Sequence, residues 1–211
     1  VARDVALVAA IRKAIGPEPR IRVDANQGYR TWREALGAIE RMAEHDIVYA
    51  EQPVDGVEEM AEIAARTRVP LMADESAWTE RDVVRIAFHK AAQYLSVYYT
   101  KPGGLWRAKR LLTVAGAHRM LADINGSGEM GIGNAANLQL AAAAPEIVLP
   151  GTIPVTSTAE TVRTKIAGHK YLDDIVTEPF VYEGGALVVP DGPGLGITVD
   201  EAKLAKYGVA V

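Results

Sequence analysis

Val23-Asp24-Ala25-Asn26, Ala50-Glu51-Gln52-Pro53 and Ala73-Asp74-Glu75-Ser76 decide how this chain folds. Each tetrapeptide closes a short apolar run with a carboxylate, and Asp24, Glu51 and Asp74 recur at intervals of 27 and 23 residues. Such an interval is about one strand plus one helix with their loops. Carboxylates at the C-terminal ends of three successive parallel strands would converge on the mouth of a β/α barrel. Three carboxylates with no histidine or cysteine among them form a hard oxygen donor set, suited to a divalent cation and to Mg²⁺ above all.

The period continues outward from this triplet. Tyr98 ends the run Tyr94-Leu95-Ser96-Val97, Asn125 ends Met120 to Ile124, and Gly151 follows Ile147-Val148-Leu149-Pro150. Between these ends the pattern turns helical. Thr31 with Glu34 and Thr79 with Asp82 are capping-box signals. Leu36, Ile39 and Met42 then form one apolar face, Val83, Ile86 and Ala87 another. Leu105, Ala108, Leu111 and Ala115 form a third, and Ala135, Leu138 and Ala142 a tighter fourth. Alternating strand and helix predicts a parallel sheet with helices outside it.

The 211 residues are 49% hydrophobic, enough for one sizeable core. A net charge of −4 gives no basic footprint for nucleic acid or an anionic membrane. No apolar stretch approaches the roughly 18 residues of a membrane span. Zero cysteines exclude disulfides and thiol chemistry and fit a cytoplasmic setting. A complete eight-unit barrel needs about 250 residues, whereas six strand ends are visible here. The expected fold is therefore a modified (β/α) TIM-like barrel that is incomplete at its N-terminus. Residues 1–160 carry the barrel units from the third strand onward. Residues 161–211 carry the last barrel helix, a hairpin around Gly184-Gly185 and a short helix over Asp200 to Tyr207.

The Asp-x-Asn, Glu-Gln-Pro and Asp-Glu motifs, Gly103-Gly104 and the closing Gly192-Pro193-Gly194-Leu195-Gly196 together resemble the enolase superfamily. The closer resemblance is to its mandelate racemase and muconate-lactonizing branch. It implies an N-terminal capping domain outside this sequence, towards which the C-terminal tail would run. It implies Mg²⁺ on Asp24, Glu51 and Asp74, with Asn26 and Glu75 orienting those ligands. It also implies a small carboxylate-bearing substrate, loss of the proton α to its carboxylate, a metal-stabilised enediolate, and a homo-oligomeric assembly.

The acid/base positions depart from that pattern. With Gly103-Gly104 held in register, Tyr98 falls where close members carry lysine or aspartate. Asn125 falls where one branch carries a histidine. Lys101 lies three residues beyond Tyr98, and the sequence favours a solvated loop lysine over a cation beside the intermediate. Glu129 matches a loop carboxylate that lies near the substrate in the lactonizing branch; its plain alternative is an acid at a helix N-terminus. With no strong base on this face, the sequence favours dehydration of a hydroxy acid such as an acid sugar. Racemase, epimerase or cycloisomerase chemistry is the alternative, and a degenerate member that keeps only the metal is another. Gly126-Ser127-Gly128-Glu129-Met130-Gly131 imitates a dinucleotide fingerprint. The acid needed to complete it, Glu146, precedes its apolar run instead of ending it, so the glycines are read as a tight loop turn.

Overall fold

The computed structural model describes residues 1–126, 128–153 and 173–208. Helices and parallel strands alternate from the start: α1 (Ala2–Ile15), β1 (Ile21–Asp24), α2 (Trp32–Ala43), β2 (Ile47–Glu51), α3 (Val57–Ala64) and β3 (Leu71–Ala73). They continue as α4 (Glu80–His89), β4 (Tyr94–Val97), α5 (Leu105–Ala117), β5 (Leu121–Ile124) and α6 (Met130–Ala143). The strands form one sheet in the order β1-β2-β3-β4-β5. An antiparallel pair, β6 (Tyr182–Glu183) and β7 (Ala186–Leu187), and α7 (Glu201–Tyr207) follow. The expected hairpin and C-terminal helix are thus present. The last barrel helix lies outside the described residues.

Contacts divide the chain into two compact units. The first holds Val1–Val97 and Arg110–Ala122, the second Tyr98–Lys109 and Asp123–Val211.

In the first unit the helices bury the faces their sequences dictate. Ile39 and Met42 of α2, Met60 and Ile63 of α3, and Val83 and Ile86 of α4 are all buried. Truncating one of these larger aliphatic side chains to alanine would cost about 2–5 kcal/mol. Strand β3 is apolar on both faces, as a helix-covered parallel sheet requires; Leu71, Met72 and Ala73 are all fully buried. In α1, Val5 and Val8 are buried while Ile11 and Ile15 stay exposed, so its apolar residues are covered only in its first half. Thr79 and Asp82 form a complete capping box on α4. At α2 Thr31 accepts from Glu34 N, but the Glu34 carboxylate turns back to Arg30 N instead of Thr31 N, so the reciprocal bond is displaced by one residue.

In the second unit, among the described residues, the sixth expected strand end is represented by a parallel bridge between Asn125 and Thr152. Helix α6 buries Gly131, Gly133 to Leu138 and Leu140, nearly all round its first turns, while Ala142 is exposed. The expected Ala135–Leu138–Ala142 stripe therefore understates how much of this helix is covered.

Candidate metal centre and active-site residues

The backbone sets the three acidic strand ends in register. Asp24 pairs with Glu51, and Glu51 with Met72, two residues before Asp74. Pairing continues past the strands: Ala25 N donates to Glu51 O at 3.1 Å, Gln27 N to Gln52 O at 2.8 Å and Tyr29 N to Pro53 O at 3.2 Å. On the other side of β2, Gln52 N donates to Met72 O at 2.9 Å.

Each carboxylate has a distinct setting. Glu51 is buried. Asp24 reaches the surface, where Asn26 N donates to its Oδ1 at 2.8 Å. Although the residue keeps exposed surface, partial desolvation of its carboxyl raises the Asp24 pKa above the ordinary range, the Asn26 bonds oppose this, and the Asp74 charge adds to it. Glu75 is raised in the same way, first by burial and then by the Asp74 and Asp24 charges, against a bond from Gln27. One buried Glu75 oxygen has no hydrogen-bond partner. Asn26 and Gln27 both adopt positive φ, 44° and 59°, which folds the loop after β1 back over its own carboxylate.

This all-oxygen, net-negative set fits a hard divalent cation by its chemistry. Among the described residues, no three such side chains are gathered closely enough to hold an ion as they stand. Like charges at one sheet end repel, and drawing them to a common point needs an opposing charge.

In the second unit, Tyr98 and Lys101 lie in the turn after β4. Gly103 N donates to Thr100 O and Gly104 N to Tyr99 O, at 3.1 and 2.8 Å. Both glycines have positive φ, 88° and 127°, which a residue with a Cβ adopts poorly. The tight turn folds Lys101 inward. Its side chain is 7% exposed, with Nζ 5.1 Å from the centre of the Tyr98 ring. The solvated loop lysine expected from sequence is therefore a buried cation over an aromatic face.

Glu129 stands at the N-terminus of α6 without capping it. Its Oε2 accepts from Gly128 N at 3.0 Å, and Thr100 Oγ1 donates to its Oε1 at 3.4 Å. A Cβ on Gly133 would lie 2.2 Å from Glu129 Cβ and 3.1 Å from the Tyr99 hydroxyl, so this glycine allows the two side chains to approach. Gly131 meets Val176 and Asp174 in the same way. Within the apparent dinucleotide motif, Gly131 thus serves close packing, and Gly128 takes a positive φ of 104°. Asn125 contributes its backbone oxygen, which accepts from Asn137 Nδ2 at 3.1 Å.

Two residues that sequence reasoning did not single out organise these loops. Gln52 is fully buried between the acidic strand ends. Asn137, also fully buried, accepts from Tyr99 N at 3.0 Å while donating to Asn125 O. The available signal was a polar residue set into an apolar stretch, since Asn134 and Asn137 interrupt the buried face of α6.

The model of the enolase C-terminal domain-like family matches residues 1–203. The chain belongs to this family. An N-succinylamino acid racemase of Amycolatopsis sp. is 34% identical over 216 residues, covering 98% of this chain and 54% of the relative. Muconate cycloisomerase 1-2 of Acinetobacter lwoffii is 33% identical over 211 residues, covering 96% of this chain and 50% of that protein. Among solved structures, 2-chloromuconate cycloisomerase from Rhodococcus opacus 1CP superposes with a TM-score of 0.87 at 26% identity, over 99% of this chain and 54% of that one. This enolase-family chain thus spans about half the length of the relatives it matches. It is an α/β chain with the C-terminal barrel portion of their architecture. Among the described residues no helix is long and apolar enough to cross a membrane.

Proposed function

We propose that the protein containing this chain is a Mg²⁺-dependent enzyme that transfers the proton α to a substrate carboxylate, an isomerase of the racemase or cycloisomerase kind. The observation that carries this reading is the in-register pairing of Asp24 with Glu51, with Asp74 just beyond the next strand. Asp24, Glu51 and Asp74 would hold the cation, with Asn26 fixing Asp24. A divalent cation there would supply positive charge to the substrate carboxylate and to the enediolate that develops from it.

The remaining roles fall to the chain's own groups. Lys101 is assigned the proton transfer at Nζ. Its side chain is buried in the turn after β4, with Nζ 5.1 Å from the centre of the Tyr98 ring. Tyr98, a phenol, donates more readily than it accepts. Glu129 and Asn125 border the same turn region and would orient the substrate. The matches to racemases and cycloisomerases support isomerisation, and the buried Lys101 offers the base whose absence favoured dehydration in the sequence. Dehydration of a hydroxy acid stays as the second reading, favoured by Tyr98 and Asn125 in the usual base positions. A homo-oligomer in the cytoplasm, acting on a small carboxylate, completes the proposal.

The test is incubation of the full-length enzyme with Mg²⁺ in D₂O, using N-succinyl amino acids, muconate-type acids and acid sugars as candidates. Magnetic resonance would follow the α-proton, and optical rotation the stereochemistry. Exchange with inversion or ring closure, lost in D74A and K101M, is expected. Release of water would select dehydration. Exchange that persists in EDTA would overturn the metal-dependent reading.

A further inference from the structure

Gln52 follows Glu51 at the end of β2 and is bonded to the segments that follow Asp24 and carry Asp74. Its backbone and side chain are committed to different neighbours. The carbonyl oxygen accepts from Gln27 N at 2.8 Å, in the loop that follows Asp24. The backbone N–H donates to Met72 O at 2.9 Å, in the strand that leads to Asp74. The side-chain Oε1 accepts two further backbone donors, Asp74 N at 2.9 Å and Ser76 N at 3.1 Å. Nε2 donates to Val54 O at 2.8 Å and to Ser76 Oγ at 2.7 Å, with Met60 Sδ at 3.3 Å. Both lone-pair directions and both N–H groups of the amide are used, which also fixes which end is oxygen.

That pattern suits Gln at this position alone. A glutamate could accept from Asp74 N and Ser76 N but, when ionised, has nothing to donate to Val54 O or Ser76 Oγ. A methionine or leucine fills the volume and satisfies none of the four. An asparagine is one methylene too short to reach β3 from the same backbone. The backbone of Gln52 sits at φ 31°, where side chains are uncommon, so the surrounding bonds hold a conformation that the chain would not adopt alone.

We infer that Gln52 is a positioning residue for the metal centre: it sets the height of Asp74 relative to Glu51, so that its loss loosens the metal ligands without removing any of them. The inference rests on Asp24, Glu51 and Asp74 being the ligands, as proposed above. Gln52 touches neither metal nor substrate in this role. It acts on the main chain on either side of the Asp74 carboxylate, as hydrogen-bond partners behind metal ligands do elsewhere.

The experiment uses the full-length protein, with Mg²⁺ itself as probe. Calorimetric titration gives the Mg²⁺ dissociation constant, and thermal unfolding is recorded in EDTA and in saturating Mg²⁺. Wild type and D74A come first. If wild type binds no Mg²⁺, or D74A binds it equally well, the ligand assignment itself has failed. Given that assignment, Q52M is expected to weaken Mg²⁺ binding by about ten- to a hundred-fold, in the range found for such supporting partners. Its Mg²⁺-dependent rise in unfolding temperature should shrink with it. I63A, a core truncation in α3, is the control: its unfolding temperature should fall while its Mg²⁺ dissociation constant stays put. A merely structural Gln52 would behave like I63A, and that result would overturn the inference. Should Q52M fail to fold, S76A carries the test. It withdraws one acceptor from the amide and leaves the Asp74 bond in place; weakening of about three-fold or more supports the inference, and unchanged binding overturns it.

Discussion

Replacing Asn137 by leucine removes the side-chain amide that Tyr99 and Asn125 share, while keeping the branching of the side chain. Asn137 Oδ1 accepts from Tyr99 N at 3.0 Å, and Nδ2 donates to Asn125 O at 3.1 Å. Both are ordinary bonds from a fully buried side chain. Leucine leaves a donor and an acceptor without partners, each at a cost of about 1–3 kcal/mol. Its own apolar burial returns about 1.5–3 kcal/mol at most. The two orphaned groups together cost about 2–6 kcal/mol, so the middle of these ranges gives a net loss of about 2 kcal/mol, a sizeable part of an ordinary domain stability of about 5–15 kcal/mol.

Aspartate at the same site separates the two bonds. It keeps the acceptor for Tyr99 N but, when ionised, sets a carboxylate against Asn125 O. Burial and the opposed carbonyl would raise its folded pKa above the unfolded value. The penalty is then absent below the unfolded pKa of about 3.9 and grows as pH rises through the folded pKa. Urea unfolding of the full-length protein at several pH values measures both variants, and amide exchange at Tyr99 N reports the local bond. If N137L stays within about 0.5 kcal/mol of wild type, or if N137D tracks wild type at every pH, the shared-amide reasoning is refuted.

Thr79→Ala removes the side-chain oxygen that accepts from Asp82 N and receives half of a complete capping box. The expected loss is about 1 kcal/mol, seen as a fall of about 2–4 °C in the unfolding temperature; no change would mean that α4 does not depend on its cap. For Asp24, whose folded pKa is raised, stability is lost as pH rises from the unfolded value through the folded one. D24N, which keeps an acceptor for Asn26 N, should therefore unfold later than wild type in EDTA at pH 7, with the advantage gone near pH 3. It should also lose the stabilisation of about 2.7 kcal/mol that Mg²⁺ at a hundred times its dissociation constant gives a specific site. A variant less stable than wild type in EDTA at pH 7 would contradict the direction of the Asp24 shift.

The acidic strand ends were legible because their signal is local: an apolar run, then a carboxylate, repeated at a constant interval. Helix starts were legible for the same reason, although the displaced Glu34 bond shows that a capping-box sequence does not fix which N–H is taken. Gln52 could be seen as part of a motif but not as a hub, since its side-chain partners lie 22 and 24 residues away. Asn137 serves a residue 38 positions earlier. Lys101 was misjudged because its burial follows from the positive φ of two later glycines, not from its own neighbours in sequence. Helix α6 offered too little contrast: with most of its early turns buried, apolar periodicity no longer marks a face. At the sixth strand end the bridge to Asn125 falls on Thr152, after the glycine, so the apolar run before Gly151 did not mark the pairing residue.

The latch formed by Gln27 N, Gln52 and Met72 O joins neighbouring strand ends through main-chain bonds, and the Gln52 amide extends it to Asp74. Side chains further along the loops take no part in those bonds. Loop tips can therefore be rewritten by mutation, lengthened or given new pocket-lining residues while the acidic platform keeps its spacing. Divergence of substrate preference at exposed loop positions then leaves these main-chain bonds in place. Relatives named as a racemase and as a cycloisomerase, each about a third identical to this chain, are what such a division of labour would leave behind over time. A library randomised beyond Pro53 and Ser76, but sparing Gln52, would begin from the same freedom.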